Sequence, residues 1–217
     1  MMMDTTKSMT NDSYTEVMLK RQSVRKFQPD VKIPRTELTE LLKEATTAPS
    51  ACNLQSWHFV VCDDEAGKQK AHSLVMPFNF PQTDTCSAIV FVLGDTQSHE
   101  KYRDVWNKMC DEGRITPEKR DEVFQTFLPL YEHADRDFLV KDSTIDASMV
   151  SMQLLLAARA HGYEANPLAG YNAAKIAPTF GLDAERYVPV MAIAIGKPAE
   201  KPIESIRYDV TDLTDFA

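Results

Sequence analysis

The stretch of sequence that decides the fold reads RQSVRKF over residues 21–27 and continues as APSACNLQSW over residues 48–57. In an extended chain alternate side chains share a face, so Arg21, Ser23 and Arg25 can converge on one anion. Two guanidinium groups offer planar forks of donors that suit a phosphate, and the serine hydroxyl adds a compact donor between them. Taken alone, the R-x-S-x-R spacing fits ordinary surface charge equally well.

The segments around this stretch predict an α+β fold. Three runs rich in β-branched and aromatic residues predict strands, at Trp57 to Cys62, Ala88 to Leu93 and Val188 to Ile195. The second run is apolar on both faces and is expected to be central. Helices and strands are mixed without a regular strand–helix repeat, which favours α+β over a doubly wound fold.

Several helices are predicted from apolar spacing and from prolines. Leu38, Leu41, Leu42 and Ala45 form one apolar stripe on a helix that begins near Pro34 and is ended by Pro49. Further helices are expected over residues 14–20, within 99–141 with interruptions at Pro117 and Pro129, over 145–161, and over 175–180. The 145–161 segment is apolar almost all round, so it belongs in the interior or in a subunit interface, and Gly162 is its C-cap.

Composition limits the classes of partner. A chain of 217 residues with a net charge of −8 and no long basic stripe argues against nucleic-acid binding. No apolar run approaches the length of a membrane span, and residues 1–12 read as a polar, disordered leader before one domain over residues 13–217. Without a secretory signal or paired cysteines, the expected compartment is the cytoplasm and no metal site is expected.

The usual cradles for nucleotides are absent from the sequence. It has seven glycines and neither G-x-G-x-x-G nor G-x-x-x-x-G-K, so any phosphate must be held by side chains. The five histidines are scattered, and no Ser-His-Asp or Cys-His set with a supporting motif appears. A catalytic side chain is therefore not expected, which fits an enzyme whose cofactor carries the chemistry.

The order of motifs resembles the FMN-dependent nitroreductase family, in particular its compact bacterial NAD(P)H nitroreductases. After the two opening motifs come Gly162-Tyr163, the run NPLAGY at residues 166–171, and YVPV at 187–190 leading into IGKP at 195–198. The resemblance covers roughly Tyr14 to Arg207. It implies a central, mostly antiparallel sheet flanked by helices, one FMN per subunit, and an intertwined homodimer.

The resemblance also implies roles for particular residues. Arg21, Ser23 and Arg207 would hold the phosphate, Arg25 the pyrimidine edge, and Pro49 to Ala51 would contact the flavin of the other subunit. Asn79 and Gln82 match positions that bind the pyrimidine ring, and Pro167 to Gly170 match a loop against the reactive N5 side. The full set of expected cofactor-binding residues is Arg21, Gln22, Ser23, Arg25, Pro49, Ser50, Ala51, Asn79, Gln82, Pro167, Leu168, Ala169, Gly170, Lys197 and Arg207.

Alternatives remain open for several of these residues. Arg207 also fits a surface charge, and the 79–82 and 167–170 segments also fit loops without a ligand. Asn53 and Gln55 are expected to pin their turn by side-chain hydrogen bonds rather than to touch the cofactor. The sequence departs from the family pattern at Ser56, where proline is usual, and at Gln82, where some relatives carry lysine.

The predicted function is an FMN-dependent oxidoreductase that is reduced by NADH or NADPH and reoxidised by a nitroaromatic or a quinone. Because no separate nicotinamide motif is present, both substrates should use one flavin face in turn, with ping-pong kinetics. A same-fold enzyme acting on an enone or a halogenated phenol is an alternative. A non-catalytic FMN-binding or sensing module is another, and an unliganded interaction protein is a third.

Overall fold

The computed structural model describes residues 10, 11 and 13–217. The rest of the predicted leader lies outside the described residues. The backbone N–H of Asn11 donates to the carbonyl of Ala160 at 3.0 Å, and its side-chain amide donates to the carbonyl of Arg159 at 2.7 Å. Two hydrogen bonds therefore tie this part of the chain to the end of a long helix.

Four antiparallel strands form the central sheet, in the order β1-β2-β4-β3. They are β1 Trp57–Cys62, β2 Ala88–Asp95, β3 Glu164–Leu168 and β4 Tyr187–Gly196. The three predicted strands are confirmed, and β2 is central with all eight residues buried. Strand β3 was not predicted.

Within the part of the chain that the structure describes, eight α-helices surround the sheet, and the α+β prediction is confirmed. They are α1 Arg35–Ala45, α2 Glu65–Leu74, α3 Phe80–Thr85, α4 Tyr102–Asp111, α5 Pro117–Thr126, α6 Leu128–Glu132, α7 Arg136–Ala160 and α8 Ala173–Thr179. Short helical turns add Thr15–Leu19, Ala51–Asn53, Pro77–Asn79, Ser98–Lys101 and Val210–Leu213. Within the described ranges no helix is both long and apolar enough to cross a membrane.

Prolines begin helices in this fold more often than they end them. Pro117 and Pro129 lie in the first turns of α5 and α6, where a missing N–H costs nothing, so the predicted interruptions are confirmed. The prediction that Pro49 ends α1 is wrong. The helix stops at Ala45, because the hydroxyls of Thr46 and Thr47 donate to carbonyls of the last turn at 2.8 and 2.7 Å.

The core has a layer on each face of the sheet. Alternate residues of β2 point to opposite sides, so Val90 packs with α1 and α7 while Phe91 packs toward α2 and α8. Gly94 in β2 permits a close approach to α7, because a Cβ there would lie 2.7 Å from the Ser143 hydroxyl. Gly162 ends α7 with φ +80°, which confirms its predicted role.

The arginine-containing segment runs along the outer edge of β3. Ser23 forms a parallel bridge with Ala165, and the side-chain amide of Asn166 donates to the carbonyl of Val24 at 3.0 Å. Val24 and Phe27 are fully buried beneath this edge. The buried apolar side chains and the contacts with β3 therefore hold the segment in place.

Candidate functional site

One side of the site is a cluster of charges where residues 21–25 pass the start of β3. Arg159 of α7 forms an ion pair with Glu164, and the ammonium of Lys197 donates to the carbonyl of Gly162 at 2.8 Å. Burial raises the pKa of Glu164, while the positive charges of Arg159, Arg21 and Lys197 act in the opposite direction. Three cations around one carboxylate leave a surplus of positive charge beside Ser23, which suits an anion.

The other predicted members of this cluster differ in their placement. Gln22 is half-buried, and its side-chain oxygen is buried without a partner among the residues described. Arg25 is exposed. Arg207 lies far along the C-terminal tail, which we define as residues 199–217, and donates locally to Ser205 and Ile206 at 2.8 and 2.9 Å. Within the described chain the hydrogen bonds of Arg207 reach only other residues of this tail, so none of them ties it to the segment 21–25.

The second side of the site is the contact between the start of α3 and the end of β3. The carbonyl of Gly170 accepts from the backbone N–H of Met76 at 2.8 Å and from the side-chain amide of Asn79 at 2.9 Å. A Cβ on Gly170 would lie 2.5 Å from the Phe78 ring and 2.7 Å from the Asn79 amide. A side chain at residue 170 would therefore displace the Phe78 ring or the Asn79 amide, and the two hydrogen bonds bring the two predicted segments together.

Both segments are more regular than the sequence indicated. Asn79 closes a 3₁₀ turn and Gln82 lies within α3, so the expected loop is wrong there; Pro77 and Pro81 each start a helical turn. Pro167 and Leu168 belong to β3, so only Ala169 and Gly170 follow the strand. A proline is tolerated because β3 is the last strand of the sheet.

The residues at these two sides fit an FMN. Arg21 and Ser23 can supply donors for a phosphate, and the Asn79 amide holds the carbonyl of Gly170 beside the segment that carries Gln82. Gln82 is 4% exposed, and its side-chain oxygen has no partner among the residues described. A buried acceptor without a donor is costly, so a ligand N–H such as that of a flavin pyrimidine ring would satisfy it.

A third part of the site is the turn at residues 49–56, which we call the APS turn. Pro49 is exposed, and the Ser50 hydroxyl accepts from the backbone N–H of Gln55 at 3.0 Å. The carboxylate of Asp146 in α7 accepts from the backbone N–H of Ala51 at 3.0 Å and from that of Ser56 at 3.3 Å. Side chains of Ser50 and Asp146 thus hold the turn closed.

The expectation that Asn53 and Gln55 pin this turn through their side chains is wrong. Both contribute through the backbone instead, with φ values of +58° and +53°, and Cys52 is also left-handed at +50°. Asp146 was missed by reasoning from the sequence. The signal that could have found it is a lone carboxylate within the apolar 145–161 run, since such a group needs a buried partner.

Helices α4 to α6 cover the APS turn. The Trp106 indole N–H donates to the carbonyl of Cys52 at 3.3 Å, and Leu54 packs in one apolar cluster with Tyr102, Val123 and Tyr131. Burial raises the pKa of Tyr102 to about 12, and its hydroxyl is buried with no partner within the described part of the chain. These helices and the APS turn therefore form one packed unit beside the site.

Comparisons with known proteins agree with this arrangement. The profile of the nitroreductase family matches residues 18–197. A CLA biosynthesis enone reductase of Lactiplantibacillus plantarum is 57% identical over 215 residues, 99% of either chain. YdgI of Bacillus subtilis (strain 168), assigned as an NAD(P)H nitroreductase, is 41% identical over 95% of this chain and 98% of its own.

Solved structures show the same fold. The crystal structure of CLA-ER, described as an enone reductase of gut-bacterial fatty acid saturation, is 59% identical with a TM-score of 0.88, over 95% of this chain and 98% of that one. A protein of Exiguobacterium sibiricum, assigned as a nitroreductase and solved with FMN, is 37% identical with a TM-score of 0.92, over 97% and 100% of the two chains. The fold, the order of motifs and these likenesses agree, and the chain belongs to the nitroreductase family.

Proposed function

We propose that the protein is an NAD(P)H-dependent FMN oxidoreductase whose electron acceptor is an enone. The observation that carries the proposal is the buried side-chain oxygen of Gln82, which lacks a donor among the residues described and lies in the helix that follows the Asn79–Gly170 contact. The charge cluster around Arg21 supplies a place for the phosphate. The family and its FMN-bound member support the identity of the cofactor.

The chain's own residues bind and orient the cofactor. Arg21 and Ser23 would donate to the phosphate, and Gln82 would accept from the pyrimidine N–H of the ring. The Asn79 amide donates to the Gly170 carbonyl, and this hydrogen bond would hold the Gly170 backbone in place against the ring. FMN, when bound, supplies two-electron hydride chemistry between a nicotinamide and an acceptor.

The acceptor class rests on the likeness to the enone reductase of L. plantarum, which spans nearly the whole of both chains. Reduction of an enone adds one hydride and one proton across its carbon–carbon double bond, so NAD(P)H and one solvent proton give NAD(P)⁺ and the saturated ketone. This acceptor takes precedence over the nitroaromatics and quinones that the sequence alone favoured. The likeness to YdgI keeps nitroaromatics as the acceptor for comparison.

The proposal includes a homodimer. Ile145, Met149 and Met152 form one stripe on α7, at i, i+4 and i+7, and are each 41–46% exposed. The tail exposes further apolar side chains, and the exposed Pro49 would contact the neighbouring subunit. Exposed apolar surface of this kind is typical of a protein–protein interface.

Anaerobic titration of the purified protein tests the proposal. We expect yellow protein that is bleached by NADH or NADPH and recovers its colour fastest with an enone, compared with a nitroaromatic and a quinone at equal concentration. Parallel double-reciprocal plots would accompany ping-pong kinetics. Yellow protein inert to both nicotinamides would instead support a binding or sensing module, and protein that takes up no FMN would refute both.

A further inference from the structure

Asp146 is a buried carboxylate without a cation. It is 1% exposed, and within the described chain it forms no ion pair. Its carboxylate oxygens accept from the backbone N–H of Ala51 and from that of Ser56. Burial raises the pKa of Asp146, and hydrogen bonds from the backbone of Ala51 and from the side chain and backbone of Ser56 lower it. A buried charge is costly unless such donors compensate it, so its position calls for a specific reason.

The turn that Asp146 holds has an unfavourable backbone. Cys52, Asn53 and Gln55 all have positive φ values near +50° to +60°. A left-handed conformation is unfavourable for any residue other than glycine, and such strain persists only where surrounding contacts determine the conformation. Ala51 and Ser56 lie on either side of the three strained residues. The carboxylate therefore clamps both ends of the strained segment.

Asp146 is carried by a helix that packs in the hydrophobic core of the molecule. Asp146 lies in α7 beside Ala147, and Val150 follows one turn later; both are fully buried in the core against β2 and α1. A carboxylate on such a helix can move little, because its neighbours are close-packed. Asp146 therefore ties the APS turn to the hydrophobic core.

We propose that Asp146 is a positioning residue that sets the APS turn for contact with the flavin. This rests on the proposed function, in which Pro49 to Ala51 meet the flavin across the subunit interface. Asp146 acts through the backbone of Ala51 and Ser56 and does not itself touch the cofactor. Aspartate is required because each N–H approaches a different oxygen, whereas asparagine would turn an N–H₂ group toward one of the two donors.

The test compares Asp146→Asn with Asp137→Asn, a matched loss of one carboxylate in the exposed first turn of the same helix. We expect Asp146→Asn to raise the Kd for FMN about tenfold, as for one charge-assisted hydrogen bond lost. Amide hydrogen exchange of the apoprotein should be faster in residues 50–56 only in this variant. The visible spectrum of bound FMN should shift as well, and Asp137→Asn should match the wild type in all three measurements.

The outcomes separate this inference from the proposed function. If wild type and Asp137→Asn bind FMN but are not bleached by NAD(P)H, the proposed function fails whatever the effect at Asp146. If both are bleached and Asp146→Asn has their FMN affinity and exchange rates, the inference is overturned. Should Asp146→Asn fail to fold, Asp146→Glu replaces it: the extra methylene should displace the turn and weaken FMN binding, and wild-type affinity would overturn the inference.

Discussion

The body of the molecule, by which we mean the described chain up to residue 198, and the C-terminal tail differ in whether their apolar side chains are buried. Strand β2 buries all eight of its residues, whereas Ile206 and Phe216 in the tail are 96% and 95% exposed. The expected phosphate ligands are divided in the same way, with Arg21 held against the body and Arg207 in the tail. The body therefore contains its own hydrophobic core, whereas the apolar side chains of the tail would be buried only against a second surface.

Removal of the tail should have the largest effect. A chain that ends at Ala199 loses Ile203, Ile206 and four further exposed apolar residues. If the tail packs on a partner subunit, burial of two such side chains alone supplies about 3 kcal/mol, so the dimer dissociation constant should rise more than about a hundredfold. Sedimentation measures this. Full-length Ile206→Asp should weaken the dimer less, and an unchanged dimer after truncation would remove the tail from the interface.

Replacement of single arginines compares the two regions directly. Arg21→Ala should weaken FMN binding by about 1–3 kcal/mol, because it removes a charge-assisted donor from the phosphate. Arg207→Ala should weaken FMN binding to a similar extent only if the tail of either subunit reaches the same phosphate. Equilibrium dialysis gives both affinities, with the exposed Arg114→Ala as the control for loss of a positive charge. Unchanged affinity in Arg21→Ala would refute its assignment.

Gly94→Ala tests how tightly the body is packed. The added Cβ would meet the Ser143 hydroxyl at 2.7 Å and its backbone carbonyl carbon at 3.1 Å. Overpacking of this kind costs about 1–3 kcal/mol of unfolding free energy, which urea denaturation would show. Ser143→Gly in the same chain should recover part of the loss, measured against that substitution alone. An unchanged midpoint would mean that β2 and α7 separate easily.

Asp142→Asn should show that the ionised Asp142 carboxylate lowers the stability of the folded protein. Burial, with a smaller contribution from Asp146, raises the pKa of Asp142 to about 6 in the folded protein. Because the folded pKa lies above the unfolded value, the protonated acid favours folding, and this stability is lost as pH rises from about 4 through 6. The variant should gain about 1 kcal/mol near pH 7.5 and nothing near pH 4. An equal gain at both pH values would exclude titration as the cause.

Gln82→Lys tests whether the Gln82 side chain faces the flavin pyrimidine ring. A cation beside the flavin pyrimidine ring favours the negatively charged reduced form, so the two-electron potential of bound FMN should rise by some tens of millivolts, with 30 mV equal to about 1.4 kcal/mol. Anaerobic titration against a reference dye measures it. Gln69→Lys, exposed on α2, is the control. An unchanged or lower potential would mean that Gln82 does not face the ring.

Local pattern predicted some elements and missed others for physical reasons. Strand β2 was predictable because burial on both faces requires a continuous apolar run. Strand β3 was not, because its five residues, EANPL, include a glutamate and a proline and owe their conformation to pairing with β4. Helix α2 was missed because it buries only Ala71 and Leu74. Its start depends on Asp64, which accepts from the N–H of Gly67 at 2.8 Å.

The sequence by itself determined strands β1, β2 and β4, the part of helix α7 from residue 145 onward and the motifs that identify the family, since spacing along the chain encodes all of these. Only the tertiary structure decided how the site is assembled. Asn79 meets Gly170 across 91 positions of sequence, and Asp146 meets Ala51 across 95. In both contacts one partner is a backbone group, which every residue carries, so no residue type in the sequence marks where the other partner will lie.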